Sequence, residues 1–191
     1  QRIANEFNLS ETSFVLPSER SDVRARYFTP ARELPMAGHP SVGTVFALEA
    51  KGAFRGKDAV TLELKIGPVT MTLERDGRAV KRVWMDQGVP ELLETFDRGA
   101  VAAALGLEEG ELEPDLPVQL GSAGNPFLLV PVASLEALAK VSVSPADLSK
   151  LLHSDHQAVF AFTRNAPGAE VRSRMFGAAL GASEDPATGS A

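Results

Sequence analysis

The sequence has 191 residues, 44% hydrophobic and 23% charged, which is enough chain of ordinary globular composition for a real core and one or two domains. A net charge of −6 argues against nucleic-acid partners, and the absence of cysteine removes disulfides, thiolate metal sites and cysteine catalysis together. No apolar run approaches the roughly eighteen residues of a membrane span and no signal peptide opens the chain, so a cytoplasmic protein is the expectation.

In chain order, residues 1–7 read as a helix with Ile3, Ala4 and Phe7 on one face, stopped at Asn8. Residues 10–16 and 23–28 read as strands, and 30–35 as a loop. Gly38-His39-Pro40 then opens a helix through residue 51, with Gly52 as its end. That helix is apolar on most sides, which predicts a buried one. Strands follow at 60–65, 69–74 and 80–85, with turns at Gly67-Pro68 and Asp76-Gly77. Trp84 is expected to pack among them. Residues 87–113 are mixed, with a helix at 100–107 and a solvated acidic connection to Asp115. Strands are predicted at 118–120, 127–132, 158–163 and 171–176. Ser134 caps one predicted helix and Ser144-Pro145 starts another. Asp185-Pro186 opens a last helix that the chain hardly enters. Strands dominate and do not alternate strictly with helices, which favours an α+β fold.

The sequence contains an internal repeat. Val23-Arg24-Ala25-Arg26-Tyr27-Phe28 matches Val171-Arg172-Ser173-Arg174-Met175-Phe176 at four of six positions, 148 residues later (171 − 23). Downstream, His39-Pro40-Ser41-Val42-Gly43-Thr44 matches Asp185-Pro186-Ala187-Thr188-Gly189-Ser190 in plan: polar residue, Pro, two residues, Gly, hydroxyl. Two matches in the same order point to duplicated halves. The halves then predict further sequence beyond both ends. The Gly124-Asn125-Pro126-Phe127 element should have a partner ahead of residue 1, and the helix begun at Pro186 should run on. The opening without Met and the stop at Ala191 also read as a fragment of a longer polypeptide.

Helix starts carry unpaired N–H groups and partial positive charge, so they bind carboxylates and phosphates. Asp185 suits a cap; His39, read at the equivalent cap position, does not and needs another reason. Gly43 and Gly189 would let a ligand approach closely. Taken singly, Asp-Pro is an ordinary cap, His39 an ordinary solvated residue and Glu11 an ordinary surface carboxylate. Duplication makes the two starts partners flanking one small carboxylate, without a metal.

The sequence also resembles the PhzF family of phenazine-biosynthesis-like proteins. The resemblance rests on Asn8-Leu9-Ser10-Glu11-Thr12-Ser13-Phe14-Val15, Phe28-Thr29-Pro30, Glu33-Leu34-Pro35, Gly38-His39-Pro40 and Glu184-Asp185-Pro186-Ala187-Thr188-Gly189-Ser190-Ala191. It implies a diaminopimelate epimerase-like fold of two pseudo-symmetric lobes, each a curved, mostly antiparallel sheet around a central helix. Residues 1–95 would be most of the N-terminal lobe, lacking its first strands. Residues 96–191 would start the C-terminal lobe, lacking its end. The resemblance further implies a cofactor-independent isomerase with a cleft between the lobes. There Glu11 is the general acid/base, supported by His39 and Asp185, while Ser10, Gly38, Gly189 and Ser190 contact substrate. A carboxyl in a closed apolar cleft is pushed toward neutrality, so it can both take and give a proton. Related epimerases and racemases use paired thiols, which this chain lacks. A small carboxylate metabolite is the expected partner, with no nucleic acid, no membrane and, from the family, a homodimer. The alternative is a binding protein for small carboxylates on the same scaffold.

Other signals are weaker. His153-Ser154-Asp155-His156 has permissive metal spacing but no third ligand, and reads as a solvated loop. No dinucleotide fingerprint, phosphate loop or nucleophile elbow is present.

Overall fold

A computed structural model describes residues 1–144, 146–147, 150, 152, 158–177, 182–185 and 188–189. The chain divides into two compact units, residues 1–89 and 90–189. Each is built around a six-stranded sheet with few helices, an α+β architecture. Among the described residues no helix is long and apolar enough to cross a membrane.

The first unit opens with α1 (Arg2–Phe7), stopped by Asn8 in the left-handed conformation, φ 49°. Only Ala4 of α1 is buried; Ile3 and Phe7 stay exposed. Strands β1 (Thr12–Leu16) and β2 (Val23–Phe28) pair antiparallel. The predicted loop at 30–35 contains a two-residue strand, β3 (Glu33–Leu34), paired with β2. Next come α2 (Gly38–Ala50), β4 (Ala59–Leu64), β5 (Gly67–Asp76) and β6 (Ala79–Met85). The sheet runs β1-β2-β4-β5-β6, with β3 beside β2. The β4–β5 turn is Lys65-Ile66; Gly67 and Pro68 already belong to β5.

A parallel seam joins β2 to β4 through two residue pairs, Val23↔Leu62 and Arg24↔Glu63. Side chains reinforce it. Asp22 accepts from Thr61 N–H at 2.7 Å and from Lys57. Glu63 accepts from Ser18 at 2.6 Å and Arg20 at 2.7 Å.

The core of this unit gathers Ala25, Tyr27, Met36, Val45, Val60, Leu62, Met71 and Leu73. Alternation along β4 and β5 sends every second side chain inward. Full burial of each Leu, Val or Met contributes about 1.5–3 kcal/mol.

Helix α2 is not buried all round. Ser41, Thr44 and Val45 face the core, while Gly43, Ala47 and Phe46, 37% exposed, face outward. Its sheet covers only one side. The inner face is pinned by hydroxyls: Ser41 Oγ donates to Ala37 O at 2.6 Å and lies 2.8 Å from the Tyr27 phenol oxygen. Gly52, φ 78°, ends the helix, with its N–H on Glu49 O and Ala53 N–H on Leu48 O. Trp84 does not pack in the core. It is 58% exposed on edge strand β6, and its indole N–H donates to Glu74. Alternation turns Trp84 outward between partly buried Val83 and Met85.

The second unit holds β7 (Glu91–Thr95), α3 (Arg98–Ala104), β8 (Gln119–Ser122), β9 (Pro126–Pro131) and α4 (Leu135–Lys140). β10 (Val159–Thr163), β11 (Arg172–Gly177) and β12 (Ala182–Asp185) complete its sheet, ordered β12-β11-β10-β9-β8-β7. Asp97 caps α3 and Ser134 caps α4, each accepting from an N–H three residues on. The acidic connection is solvated at Glu108, Glu109, Gly110, Pro114 and Asp115, but it is pinned to the unit at one point. Residues Glu109–Glu111 form a 3-10 turn, and Leu112, 2% exposed, bridges to Val132. Of the helix predicted from Pro145 to Leu152, Ala146, Asp147 and Lys150 are helical and four residues lie outside the described ones, as do all of residues 153–157.

The repeat reappears as structure. β1–β2 and β10–β11 are both antiparallel pairs, and each is extended by a further antiparallel strand, β3 or β12. Arg26 stacks on Phe28 with its guanidinium carbon 5.0 Å from the ring centre. The repeat-equivalent Arg174 stacks on Phe176 at 4.7 Å.

Candidate active site

Glu11 sits between the end of α1 and the start of β1. Asn8 turns the chain there because its amide side chain tolerates φ above zero. The ladder that begins at Thr12↔Phe28 then fixes the strand that follows.

His39 approaches from α2. The helix starts earlier than the sequence suggests: Ala37, in extended conformation, is its N-cap and Gly38 its first residue. His39 is therefore the second helical residue, not the cap. Pro40 fits because none of the first four helical N–H groups needs an intrahelical partner, so proline marks the first turn rather than the first position.

The two side chains meet. His39 Nε2 lies 3.3 Å from Glu11 Oε2, with side chains 46% and 17% exposed respectively. Glu11 Oε2 itself has no contact with solvent.

The remaining expected residues are distributed as follows. Ser10 precedes Glu11 and is exposed. Gly38 opens α2. Asp185 ends β12 in the second unit, and its Oδ2 accepts from Thr188 Oγ1 at 2.6 Å. That bond spans three residues, as a cap would, but Pro186, Ala187 and Ser190 lie outside the described residues. Gly189 is exposed, and a Cβ there, as at Gly43, would meet nothing within 4 Å among the described residues. His153 and His156 lie outside the described residues, among which no three His, Asp or Glu side chains are grouped to hold a metal.

One feature had no sequence signal. A cavity of about 290 Å³ in the first unit is walled by Met36, Ile66, Pro68, Val69 and Met85, with Thr70, Asp86 and Gln87 as polar lining. Met36 places it beside the loop leading into α2. Its walls come from three segments, so no local pattern reveals it.

A model of the PhzC-PhzF family, described as phenazine biosynthesis-like protein, matches residues 1–191. The chain belongs to the PhzC-PhzF family. A trans-2,3-dihydro-3-hydroxyanthranilate isomerase of Pseudomonas aeruginosa is 41% identical over 199 residues, covering 100% of this chain and 65% of that protein. A PhzF-family protein of Bacillus anthracis superposes with TM-score 0.86 at 31% identity, over 99% of this chain and 65% of that one. A hydroxyproline epimerase from Agrobacterium vitis, 16% identical, shares the fold with TM-score 0.61, over 92% of this chain and 55% of that one. The chain thus spans about 65% of the length of the curated PhzF relatives it matches.

Proposed function

We propose that this protein is an isomerase of a small cyclic carboxylate, moving a proton between carbons with Glu11 as the acid/base. Support comes first from the Glu11–His39 pair, 3.3 Å apart with the reactive oxygen withdrawn from water. Relatives named as isomerases at 41% and 37% identity support the reaction class.

In this reading the ionised Glu11 takes a proton from a ring carbon, and the electron pair left behind passes into the conjugated carboxylate of the substrate. Glu11, now neutral, returns the proton to a different carbon. One C–H bond breaks and another forms, with no net oxidation. A carboxylate stripped of water is a stronger base than a solvated one, and proton transfer by a placed side chain contributes roughly 10²–10⁴-fold. His39 holds the Glu11 carboxyl in place. Asp185 is the second support by its family position, with Ser10, Gly38, Gly189 and Ser190 as substrate contacts. The chemistry assigned to Glu11 needs no metal or organic cofactor.

The test uses the full-length protein with trans-2,3-dihydro-3-hydroxyanthranilate in D2O. NMR should show deuterium entering at carbon, and Glu11→Gln should abolish it. Uptake that survives Glu11→Gln unchanged removes Glu11 from the role. Saturable binding of the compound without exchange makes the protein a binder.

A further inference from the structure

Two strands lead into the proposed site residues, and both are weakly held by their backbones. β3 has two residues, and five positions after its first residue the chain enters α2 and then His39. β12 ends on Asp185, and its ladder with β11 is interrupted between Met175 and Gly177. Neither strand gains much fixity from so short or irregular a ladder.

Each is instead gripped by an arginine of the repeated motif. Arg26 forks Glu33 of β3 through Nε at 2.7 Å and Nη2 at 2.9 Å. Arg174 forks Glu184 of β12 through Nε and Nη2, both at 2.8 Å. Behind each fork the guanidinium rests on the phenylalanine two residues on. Arg174 also donates Nη1 to the carbonyls of Leu138, Ala139 and Val141, tying the end of α4 to the same strand.

The two glutamates are not repeat equivalents. Glu33 follows its arginine by seven residues and Glu184 by ten. The same fork is therefore made twice from unlike positions, which inheritance of one ancestral pair does not explain. Partly exposed ion pairs add little stability. A planar, two-bond fork on a stacked guanidinium fixes direction well.

We infer that Arg26–Glu33 and Arg174–Glu184 are positioning clamps, which hold the strand leading into the His39 helix and the strand that ends on Asp185 so that these residues stay aligned for the reaction. Arg174 and Glu184 touch no substrate; they act through Asp185, as Arg26 and Glu33 act through His39. The assignment of roles rests on the proposed function, while the grip on the strands does not.

The experiment takes full-length protein and its Glu33→Gln, Glu184→Gln and Arg174→Lys variants. Glu184→Gln keeps every Arg174 contact with α4, so it guards against simple misfolding. Backbone hydrogen exchange is read at residues 182–185 and 33–39, and turnover of trans-2,3-dihydro-3-hydroxyanthranilate is read as kcat and KM. Glu184→Gln should speed exchange at 182–185 at least tenfold and lower kcat about tenfold, with KM within threefold and only a small fall in Tm, as for a partly exposed ion pair. Glu33→Gln should do the same at 33–39. Arg174→Lys keeps the charge but loses the fork, and should not restore kcat. Native-like exchange in both Gln variants overturns the clamps, as does unaltered kcat in an active enzyme. If the native protein does not turn over the probe, the proposed function falls, and exchange alone decides the clamps.

Discussion

Replacing Tyr27 by Phe isolates the hydroxyl contact between the β2 ladder and α2. Tyr27 is 1% exposed and Ser41 0%, with their oxygens 2.8 Å apart. The ring stays, so no cavity opens beyond one oxygen atom. Ser41 keeps Ala37 O as its acceptor at 2.6 Å, so it is not left unsatisfied. The expected cost is that of one net hydrogen bond, about 1 kcal/mol, or about 2–4 °C in Tm for a chain of this size. Ser41→Ala should cost a similar amount, because Thr44 gives the phenol a second hydroxyl partner. The double variant should then cost less than the sum, by about 1 kcal/mol of coupling. Tyr27→Ala, which removes the ring, should cost about 3–5 kcal/mol. Urea unfolding of the full-length variants, with unchanged m, supplies all four values. Coupling below about 0.3 kcal/mol, the usual limit of additivity, would refute the claim that this hydroxyl pair joins helix to sheet.

Burial pushes the Tyr27 phenol up, against the smaller opposing pull of Ser41 and Thr44. A raised folded value means that this contribution is whole below the unfolded value of about 10 and is lost as pH rises through the folded one. Tyr27→Phe should remove that alkaline loss, as seen in unfolding curves above pH about 10. Leu112→Ala should cost about 2–5 kcal/mol by chemical denaturation, whereas a truly solvated connection would lose almost nothing. Arg26 and Arg174, through their hydrogen bonds, hold Glu33 and Glu184 below the usual glutamate range. Lowered folded values stabilise above the unfolded value of about 4.3 and that stability fades as pH falls through them, so Glu33→Gln with Glu184→Gln should flatten the acid limb of the stability curve. An unchanged limb would show that these pairs are not linked to folding.

Much of the architecture could be read from residue order. Alternation along Val60, Leu62 and Leu64 marked a half-buried strand, and Ser134 marked a helix start, because both signals are local. β7 escaped because Glu91-Leu92-Leu93-Glu94-Thr95 is exposed at every position, so no buried face imposes a period. Leu112 escaped because its acidic neighbours mask a single inward side chain. Phe46 and Trp84 show that apolar character does not say which face is covered. At the site, no spacing rule links Glu11 to His39, 28 positions on; family resemblance joined them, and the geometry then brought them together. The repeated arginines were visible as a motif, but their partners were not, since Glu33 and Glu184 stand at unequal distances.

The parallel seam between β2 and β4 has a kinetic consequence. On either side of it lie ribbons made of near neighbours in the chain: β1 with β2, and β4 with β5 and β6. Such ribbons close short loops and can assemble early. The seam must wait until 38 residues of intervening chain, α2 among them, have been ordered between Val23 and its partner Leu62 (62 − 23 − 1). Two backbone pairs then carry the join, with Asp22, Ser18 and Arg20 as outriggers. Loop closure alone predicts that the first unit joins last along the line that its own crossover helix bridges, which native-state hydrogen exchange at Val23, Arg24, Leu62 and Glu63 would check.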